Sequence, residues 1–214
     1  MKIEAIICDM DGTLVDYPNE PFHSSWDALA EALPETLREE WGELRDFYYY
    51  KKELCAEWYK KQVALLKGIK LTDIENYLFP APYSPGVKDF FSNRDGYIKG
   101  IVSAGVDFVA KRVAKELYFD FATGSPIEVK DGIFTGEGEC ILDLWRKDLD
   151  ILKIAKEYSL NLQKVMYIGD NDNDIPCFAL VGISIAFKPK TELTKSSAKY
   201  IINDFRELKR ILQD

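Results

Sequence analysis

The sequence predicts an α/β fold with a doubly wound parallel sheet and a small helical segment inserted after the first strand. Short, nearly all apolar runs occur at residues 3–8, 97–102, 165–169 and 183–187. This composition is typical of strands that are covered on both faces. Helix-like sequence precedes each of the later runs. Strands that alternate with helices predict right-handed β-α-β units, and therefore a parallel sheet between two layers of helices.

The helices and the domain limits are predicted from the spacing of apolar residues and from the prolines. Apolar residues recur at helical spacing over residues 108–117 and 148–158, which predicts two helices packed on the sheet. The region 17–82 has no convincing parallel strand but shows the same helical spacing. Prolines frame this region, as expected where a chain leaves one domain and returns to it. We therefore expect a main domain from residues 1–16 and 83–214 and a small helical domain from residues 17–82.

Aromatic residues are concentrated in the inserted region. Its aromatic side chains include Trp26, Trp41, Phe47, Tyr48, Tyr49, Tyr50, Trp58 and Tyr59. We expect most of them to form the core of a small helical bundle, and a role for one or two in lining a substrate site is the alternative. Farther along the chain, Asp131-Gly132 interrupts an alternating stretch and predicts a two-residue hairpin turn.

The composition narrows the classes of partner. The chain has 214 residues, 47% hydrophobic and 30% charged, as in an ordinary folded protein. Acids outnumber bases by 36 to 28, and the resulting net charge of −8 argues against nucleic acid as a partner. No apolar run is long enough for a membrane span. The four cysteines form no CxxC pair, so we expect neither a zinc site nor a disulfide framework, and we expect a reducing, cytoplasmic location.

Polar residues that follow the apolar runs mark the expected site, because ligands of open α/β sheets bind at the carboxyl ends of the strands. Asp9-Met10-Asp11-Gly12-Thr13 follows the first run. Ser103-Ala104-Gly105 follows the second and places a hydroxyl and amides at the expected entrance to a helix, a suitable place for an anion. The segment 170–174 follows the run at 165–169 and is dense with the oxygen ligands that magnesium prefers.

Together these segments resemble the motifs of the haloacid dehalogenase superfamily. Four segments of this chain resemble the four motifs of the superfamily, in the same order. They are Asp9-Met10-Asp11-Gly12-Thr13, Ser103, Lys147, and Gly169-Asp170 with Asn173-Asp174. Within the superfamily, the chain most resembles the phosphoserine phosphatase group. The resemblance implies a Rossmann-like core with a small helical cap, and an Mg²⁺-dependent phosphomonoester hydrolase.

The resemblance also implies roles for the residues of the first motif and for the metal ligands. Asp9 would attack phosphorus and form an aspartyl-phosphate. Asp11 would protonate the leaving alkoxide and then take a proton from the attacking water. The metal ligands would be Asp9, Asp11 through its backbone carbonyl, and Asp170.

The remaining motif residues would bind phosphate or support the site. Ser103, the amide of Ala104 and the ammonium of Lys147 would hold the phosphoryl oxygens. The supporting residues would be Thr13, Asn173 and Asp174, which would orient the metal ligands or the waters bound to the metal.

The cap sequence leaves the substrate open. In phosphoserine phosphatases, the cap supplies an acid and an arginine that read the amino acid. Glu20 is the expected acid, whereas Gln62 occupies the position that aligns with the arginine. Glutamine cannot make the charged, bidentate contact that arginine makes with a carboxylate. Phosphoserine is therefore one candidate among small phosphorylated metabolites.

Two other functions remain open from the sequence. The first is a phosphotransferase that passes the phosphoryl group from the aspartate to a small-molecule acceptor other than water. The second is a binding protein without catalysis that keeps the metal site and uses the aromatic insert to hold a partner.

Overall fold

The computed structural model of the protein describes residues 3–92 and 96–213, and the sheet of this described part is built from short buried strands. The strands are β1 (Ala5–Cys8), β2 (Ile98–Val106), β3 (Phe121–Ser125), β4 (Ile127–Lys130), β5 (Ile133–Gly138), β6 (Val165–Gly169), β7 (Ile183–Phe187) and β8 (Tyr200–Ile202). The helices are α1 (Ser25–Ala30), α2 (Glu35–Tyr48), α3 (Cys55–Leu65), α4 (Leu71–Leu78), α5 (Val87–Phe90), α6 (Asp107–Glu116), α7 (Lys147–Glu157), α8 (Ile175–Leu180), α9 (Glu192–Ser197) and α10 (Leu208–Ile211). No helix in these ranges is both long enough and apolar enough to cross a membrane.

The main sheet is parallel and has six strands in the order β3-β2-β1-β6-β7-β8. Strand β1 lies in the middle, where Cys8 is in register with Ile101 of β2 and Ile168 of β6. The chain places β2 and β3 on one side of β1, and then β6, β7 and β8 on the other side. The point of reversal between β1 and β6 is where a doubly wound sheet opens a crevice for ligands. The predicted fold class, a doubly wound α/β core with an inserted helical cap, is confirmed.

The register of β2 corrects one expectation from the sequence. The predicted strand ends at residue 102, but β2 continues to Val106, close to the start of the helix predicted over residues 108–117. Its pairing with β3 is irregular between Val102 and Val106. Ser103, Ala104 and Gly105 therefore lie in the irregular end of a strand, and helix α6 begins only at Asp107.

Two strands of the sheet were not predicted. Strand β3 has the sequence Phe-Ala-Thr-Gly-Ser and is only partly buried, so it lacks the continuous apolar run of its neighbours. Strand β8 has only three residues and lies at the edge of the sheet. Short edge strands carry little sequence signal because half of their surroundings are solvent.

The inserted helices α1 to α4 leave and rejoin the core at adjacent points. Val15 and Tyr83 form an antiparallel bridge between the outgoing and the returning chain. The amide of Asp16 donates to Pro82 O at 2.8 Å, and that of Ser84 donates to Leu14 O at 3.0 Å. This pairing supports domain limits at residues 16 and 83, which stay a prediction.

The predicted hairpin is formed by β4 and β5, which pair in antiparallel fashion outside the main sheet. Its two turn residues, Asp131 and Gly132, both have positive φ, at 52° and 78°. The hairpin packs against the inserted helices, because Gly68 N donates to Phe134 O and Leu71 N donates to Gly132 O, both at 2.9 Å. It therefore extends the helical cap on the side facing the core.

Replacing Gly124 of β3 is expected to disturb the irregular end of β2. A Cβ atom at Gly124 would lie 2.5 Å from the Cα atom of Asp107 and 3.2 Å from Gly105 O, so backbone would have to move. We expect Gly124→Ala to lower the free energy of unfolding by about 1 to 3 kcal/mol, measured by urea denaturation. Gly96→Ala is the control, because its Cβ would meet open space. Equal stability of the two variants would contradict this packing.

Candidate active site

The carboxylates expected from the sequence meet at the carboxyl ends of β1 and β6. Asp9 follows β1 and Asp170 follows β6, and the amide of Asp9 donates to Ile168 O at 2.9 Å. One oxygen each from Asp9, Asp170 and Asp174 lies within 4.8 Å of the others. All three side chains are buried. Residues far apart in the sequence thus form one cluster because neighbouring parallel strands end at the same edge.

Lys147 supplies a buried positive charge to this cluster. Its ammonium group is fully buried and lies 2.9 Å from Asp9 Oδ2. It also donates a short hydrogen bond to Asp174 Oδ1. Burial by itself would lower the pKa of Lys147, but the carboxylates of Asp174 and Asp9 outweigh it and raise that pKa. The lysine is therefore charged and neutralises part of the negative charge around Asp9.

Asp174 holds the loop after β6 in place. Its Oδ2 accepts hydrogen bonds from the amides of Asp170 and Asn171, at 3.0 and 3.2 Å. Its Oδ1 accepts from Lys147 and, at 2.8 Å, from the hydroxyl of Tyr167. Both oxygens are thus fully engaged by protein groups. This arrangement fits the supporting role that the sequence assigned to Asp174.

The two oxygens of the Asp170 carboxylate have different partners. Its Oδ1 accepts a hydrogen bond from the hydroxyl of Thr13 at 3.0 Å. Its Oδ2 lies 2.9 Å from Lys190 Nζ in an ion pair that lacks hydrogen-bond geometry, and this buried oxygen has no hydrogen-bond partner. Thr13 is fully buried behind the site. The outer oxygen of Asp170 is therefore available to a further ligand.

Asp11 connects the core to the cap. Its two oxygens accept hydrogen bonds from the amide and the hydroxyl of Ser25, at 2.7 and 2.9 Å. Ser25 is the first residue of α1. A Cβ atom built on Gly105 would lie 2.3 Å from Asp11 Oδ2, so only glycine leaves room for this carboxylate.

The segment expected to bind phosphate lies opposite Asp9. Ser103, Ala104 and Gly105 line the same cavity as Asp9, Asp11 and Asp170. The hydroxyl of Ser103 accepts a hydrogen bond from the amide of Gly105 at 3.1 Å. Lys147, which contacts Asp9 Oδ2, is not among the residues that line the cavity. The charge of Lys147 therefore acts on the site through its contact with Asp9.

Burial raises the pKa of the site carboxyls. It raises the pKa of Asp9 to about 7, although Lys147 opposes the shift. It raises the pKa of Asp11 to about 6, against the stabilising hydrogen bonds from Ser25. Burial likewise raises the pKa of Asp170, with Lys190 opposing. The shifts have a common origin, because water is excluded from a place where several acids converge.

The donor set fits a divalent cation. Four carboxylates, those of Asp9, Asp11, Asp170 and Asp174, converge here, and among the described residues Lys147 and Lys190 form ion pairs with them. The excess of two negative charges equals the charge of one divalent ion. All the available donors are oxygen atoms, which hard cations prefer. The buried Oδ1 of Asn173, which lines the cavity without a hydrogen-bond partner, could receive a water bound to the ion.

The structure does not bring the two expected specificity residues together. The carboxylate of Glu20 is 81% exposed and lies near His23, outside the residues that line the cavity. Gln62 does line the cavity, but its amide is engaged by protein groups. Its Oε1 accepts from Trp26 Nε1 at 2.6 Å, and its Nε2 donates to Trp41 O at 3.0 Å.

Lys190 and Ser25 are site residues that the sequence did not indicate. Lys190 follows β7, and its amide donates to Asp170 O at 2.9 Å. The signal for Lys190 is its place among the polar residues that follow β7, a strand that the sequence predicts correctly. Ser25 gave no such signal, because its place depends on how the cap folds back onto the first motif.

A family model described as haloacid dehalogenase-like hydrolase matches residues 6–179 of the chain. The chain belongs to this hydrolase family. Among curated proteins, it is 33% identical over 159 residues to a phosphoserine phosphatase of Methanocaldococcus jannaschii, with 72% of this chain and 74% of that protein covered. It is 31% identical over 152 residues to that of Idiomarina loihiensis, covering 69% and 68%.

Solved structures agree with the curated relatives. A phosphoserine phosphatase with an analogue of the phospho-aspartyl intermediate superposes with a TM-score of 0.78 and 29% identity, covering 99% of this chain and 100% of that one. A substrate-bound phosphoserine phosphatase gives a TM-score of 0.79 at 29% identity, with 99% of each chain covered. The predicted superfamily and the predicted enzyme class, a phosphatase, are confirmed.

The stability of the metal-free hydrolase is expected to report the burial of Asp11. The pKa of Asp11 rises from its ordinary 3.8 to about 6 in the folded state. Between these values the folded protein binds more protons than the unfolded chain, so the free energy of unfolding falls as pH rises. We expect Asp11→Asn, which can keep both contacts to Ser25, to exceed the wild type by about 1 to 2 kcal/mol at pH 8.

This difference should nearly vanish at pH 4, where the carboxyl is protonated in the folded state. Urea denaturation in the presence of a chelator, at both pH values, measures it. Asp16→Asn is the matched control, because the side chain of Asp16 is 41% exposed. A stability difference for Asp11→Asn that does not change with pH would contradict the assignment.

Removing Lys147 from this hydrolase is expected to be costly, because two buried carboxylates would lose their shared cation. We expect Lys147→Met to lower the free energy of unfolding by about 3 to 5 kcal/mol in the absence of metal. Lys153→Met is the control: Lys153 lies on the same helix with its side chain 72% exposed, so its ion pair with Asp150 contributes about 0 to 1 kcal/mol. Similar losses in both variants, measured by thermal or urea unfolding, would refute the role of burial.

Proposed function

We propose that the chain is an Mg²⁺-dependent phosphomonoester hydrolase that forms an aspartyl-phosphate on Asp9 and acts on a small phosphorylated metabolite. The observation that carries this proposal is the buried cluster in which Asp9 is held by Lys147 beside Asp170. The relatives support it, because those named above are phosphoserine phosphatases.

Asp9 is suited to be the nucleophile. Its Oδ1 accepts from the amide of Met10 at 2.7 Å, and its Oδ2 accepts from Lys147. These two contacts fix the plane of the carboxylate, and the ammonium group reduces its repulsion of the phosphate dianion. In the first step, a carboxylate oxygen bonds to phosphorus while the bond from phosphorus to the ester oxygen breaks.

Asp11 is suited to move protons at the ester oxygen. Its raised pKa of about 6 keeps part of the population protonated near neutral pH. The protonated form gives its proton to the leaving alkoxide. The resulting carboxylate then takes a proton from the water that attacks the aspartyl-phosphate, and inorganic phosphate is released. Its hydrogen bonds to Ser25 hold it on the cap side of the cavity.

The phosphoryl oxygens would be held by the end of β2 and by a metal site. Ser103 and the amide of Ala104 face the cavity and would donate to these oxygens. Asp9, Asp170 and the backbone carbonyl of Asp11 would hold Mg²⁺, which would supply Lewis-acid stabilisation of the phosphoryl charge. Thr13, Asn173 and Asp174 would keep these ligands oriented.

The proposal is tested by the release of phosphate from p-nitrophenyl phosphate. We expect hydrolysis with Mg²⁺, its loss on chelation, and at least a thousandfold lower kcat for Asp9→Asn, since the nucleophile is removed. Asp16→Asn, with an exposed carboxylate a few residues further on, is the control and should retain activity. Unchanged turnover by Asp9→Asn would disprove the mechanism. Transfer of the phosphoryl group to added alcohols in preference to water would replace the hydrolase by a phosphotransferase.

A further inference from the structure

The catalytic cavity continues from Asp9 to an aromatic wall formed by the cap. Its volume is about 120 Å³. The aromatic side chains of the wall are Phe22, Trp26, Tyr49, Trp58 and Tyr59. A cavity of about 150 Å³ with apolar walls accepts one benzene molecule, and this smaller space also includes the position proposed for the phosphate, so it limits a leaving group to no more than one ring.

The aromatic wall consists of two groups of rings in contact. Phe22 stacks on Tyr49 with ring centres 4.3 Å apart and an angle of 28°. Trp58 meets Tyr49 edge-on at 6.1 Å. Trp26 and Tyr59 lie 5.3 Å apart and extend the wall. A flat ring in the cavity would therefore meet aromatic faces and edges already fixed by their neighbours.

The charged groups beside this wall are already paired. Asp27 Oδ1 lies 3.7 Å from Arg45 and accepts a hydrogen bond from Trp41 Nε1 at 3.1 Å. Arg45 also pairs with Asp46 at 3.1 Å and lies over the ring of Phe22. The charges of Asp27 and Arg45 are therefore partly neutralised by their protein neighbours.

Three buried polar atoms that line the cavity lack hydrogen-bond partners, among the residues the structure describes. At the cap end, Trp58 Nε1 is an unpaired donor. At the core end, Asp170 Oδ2, which forms an ion pair with Lys190, and Asn173 Oδ1 are acceptors without a hydrogen bond. The acceptors lie where the metal and the phosphate are proposed to bind. The donor then requires an acceptor on the leaving group, since an unpaired buried N–H group is unfavourable.

We infer that the substrate is a phosphate monoester whose leaving group is a single flat aromatic ring with a hydrogen-bond acceptor, received by Trp58 Nε1. The inference rests on the proposed phosphatase function and specifies its substrate class. Stacking on the wall selects the ring, and Trp58 selects the acceptor. An aliphatic amino acid ester such as phosphoserine would leave both unused.

A panel of esters tests the ring and the acceptor separately. The panel contains cyclohexylmethyl phosphate, benzyl phosphate, the three pyridylmethyl phosphates and phosphoserine, all of which release a primary alcohol. We expect kcat/KM for benzyl phosphate to exceed that for cyclohexylmethyl phosphate and phosphoserine by about tenfold, from stacking. One pyridylmethyl isomer should exceed benzyl phosphate by about threefold to tenfold, from the added hydrogen bond.

Variants test the role of Trp58. Trp58→Phe keeps an aromatic ring but removes the N–H group, so it should abolish the preference for the pyridylmethyl isomer over benzyl phosphate. Trp58→Leu should reduce kcat/KM for both esters. Phe47→Leu is the matched control, because Phe47 belongs to the cap but is 56% exposed and lies outside the cavity lining. Its kcat/KM values should equal those of the wild type.

Binding of the phosphonate analogues separates this inference from the proposed function. Calorimetry should give a Kd for benzylphosphonate about tenfold lower than that for cyclohexylmethylphosphonate, whether or not turnover occurs. Equal Kd values, or a higher kcat/KM for phosphoserine than for benzyl phosphate, would overturn the aromatic substrate and leave the phosphatase intact. Binding of benzylphosphonate without hydrolysis of any ester would disprove the phosphatase and retain the aromatic site.

Discussion

The site depends on one buried ammonium group placed between two buried carboxylates. Lys147 is separated from Asp9 by 138 residues in the sequence, yet its side chain is fully enclosed between Asp9 and Asp174. Without this cation, the carboxylates would meet in a place that water does not reach, at a cost of several kcal/mol for each unpaired charge. The parallel sheet makes the arrangement possible, because β1 and β6 end side by side at the reversal of strand order.

The same loops that carry the carboxylates also hold the cap. Asp11 accepts two hydrogen bonds from Ser25, and Asn171 donates to the hydroxyl of Tyr49 at 3.1 Å. Lys190, which pairs with Asp170, donates to Phe22 O at 3.0 Å. Each contact joins a residue near the phosphate position to a residue near the aromatic wall. The cap and the carboxylate loops are therefore joined by hydrogen bonds at three places.

The convergence of Asp9 and Asp170 could be predicted from the sequence because both residues directly follow apolar strands. The sequence was less informative where contacts are set by the packing of the cap. Glu20, expected in the cavity, is exposed, and Gln62 is tied to Trp26 and Trp41. Neither outcome could be read from spacing, because both depend on how separate helices meet.

The aromatic residues of the insert illustrate the same limit. Trp41 is buried in the cap, as the expectation of a helical core requires, whereas Trp58 lines the cavity with its N–H group unpaired. Both residues are tryptophans, and both lie in helical segments of the insert. What separates them is the side of the cap each faces, and a helical pattern does not show what lies beyond the helix.

The bridge between Val15 and Tyr83 has a mechanical consequence. Because the outgoing and returning chains cross side by side, both crossings share one pivot. A motion of the cap relative to the core would be confined to a few backbone angles at these two crossings, and the hydrogen bonds of the sheet would stay intact. Such a motion would open the cavity to substrate and product, while the carboxylate cluster in the core would keep its geometry.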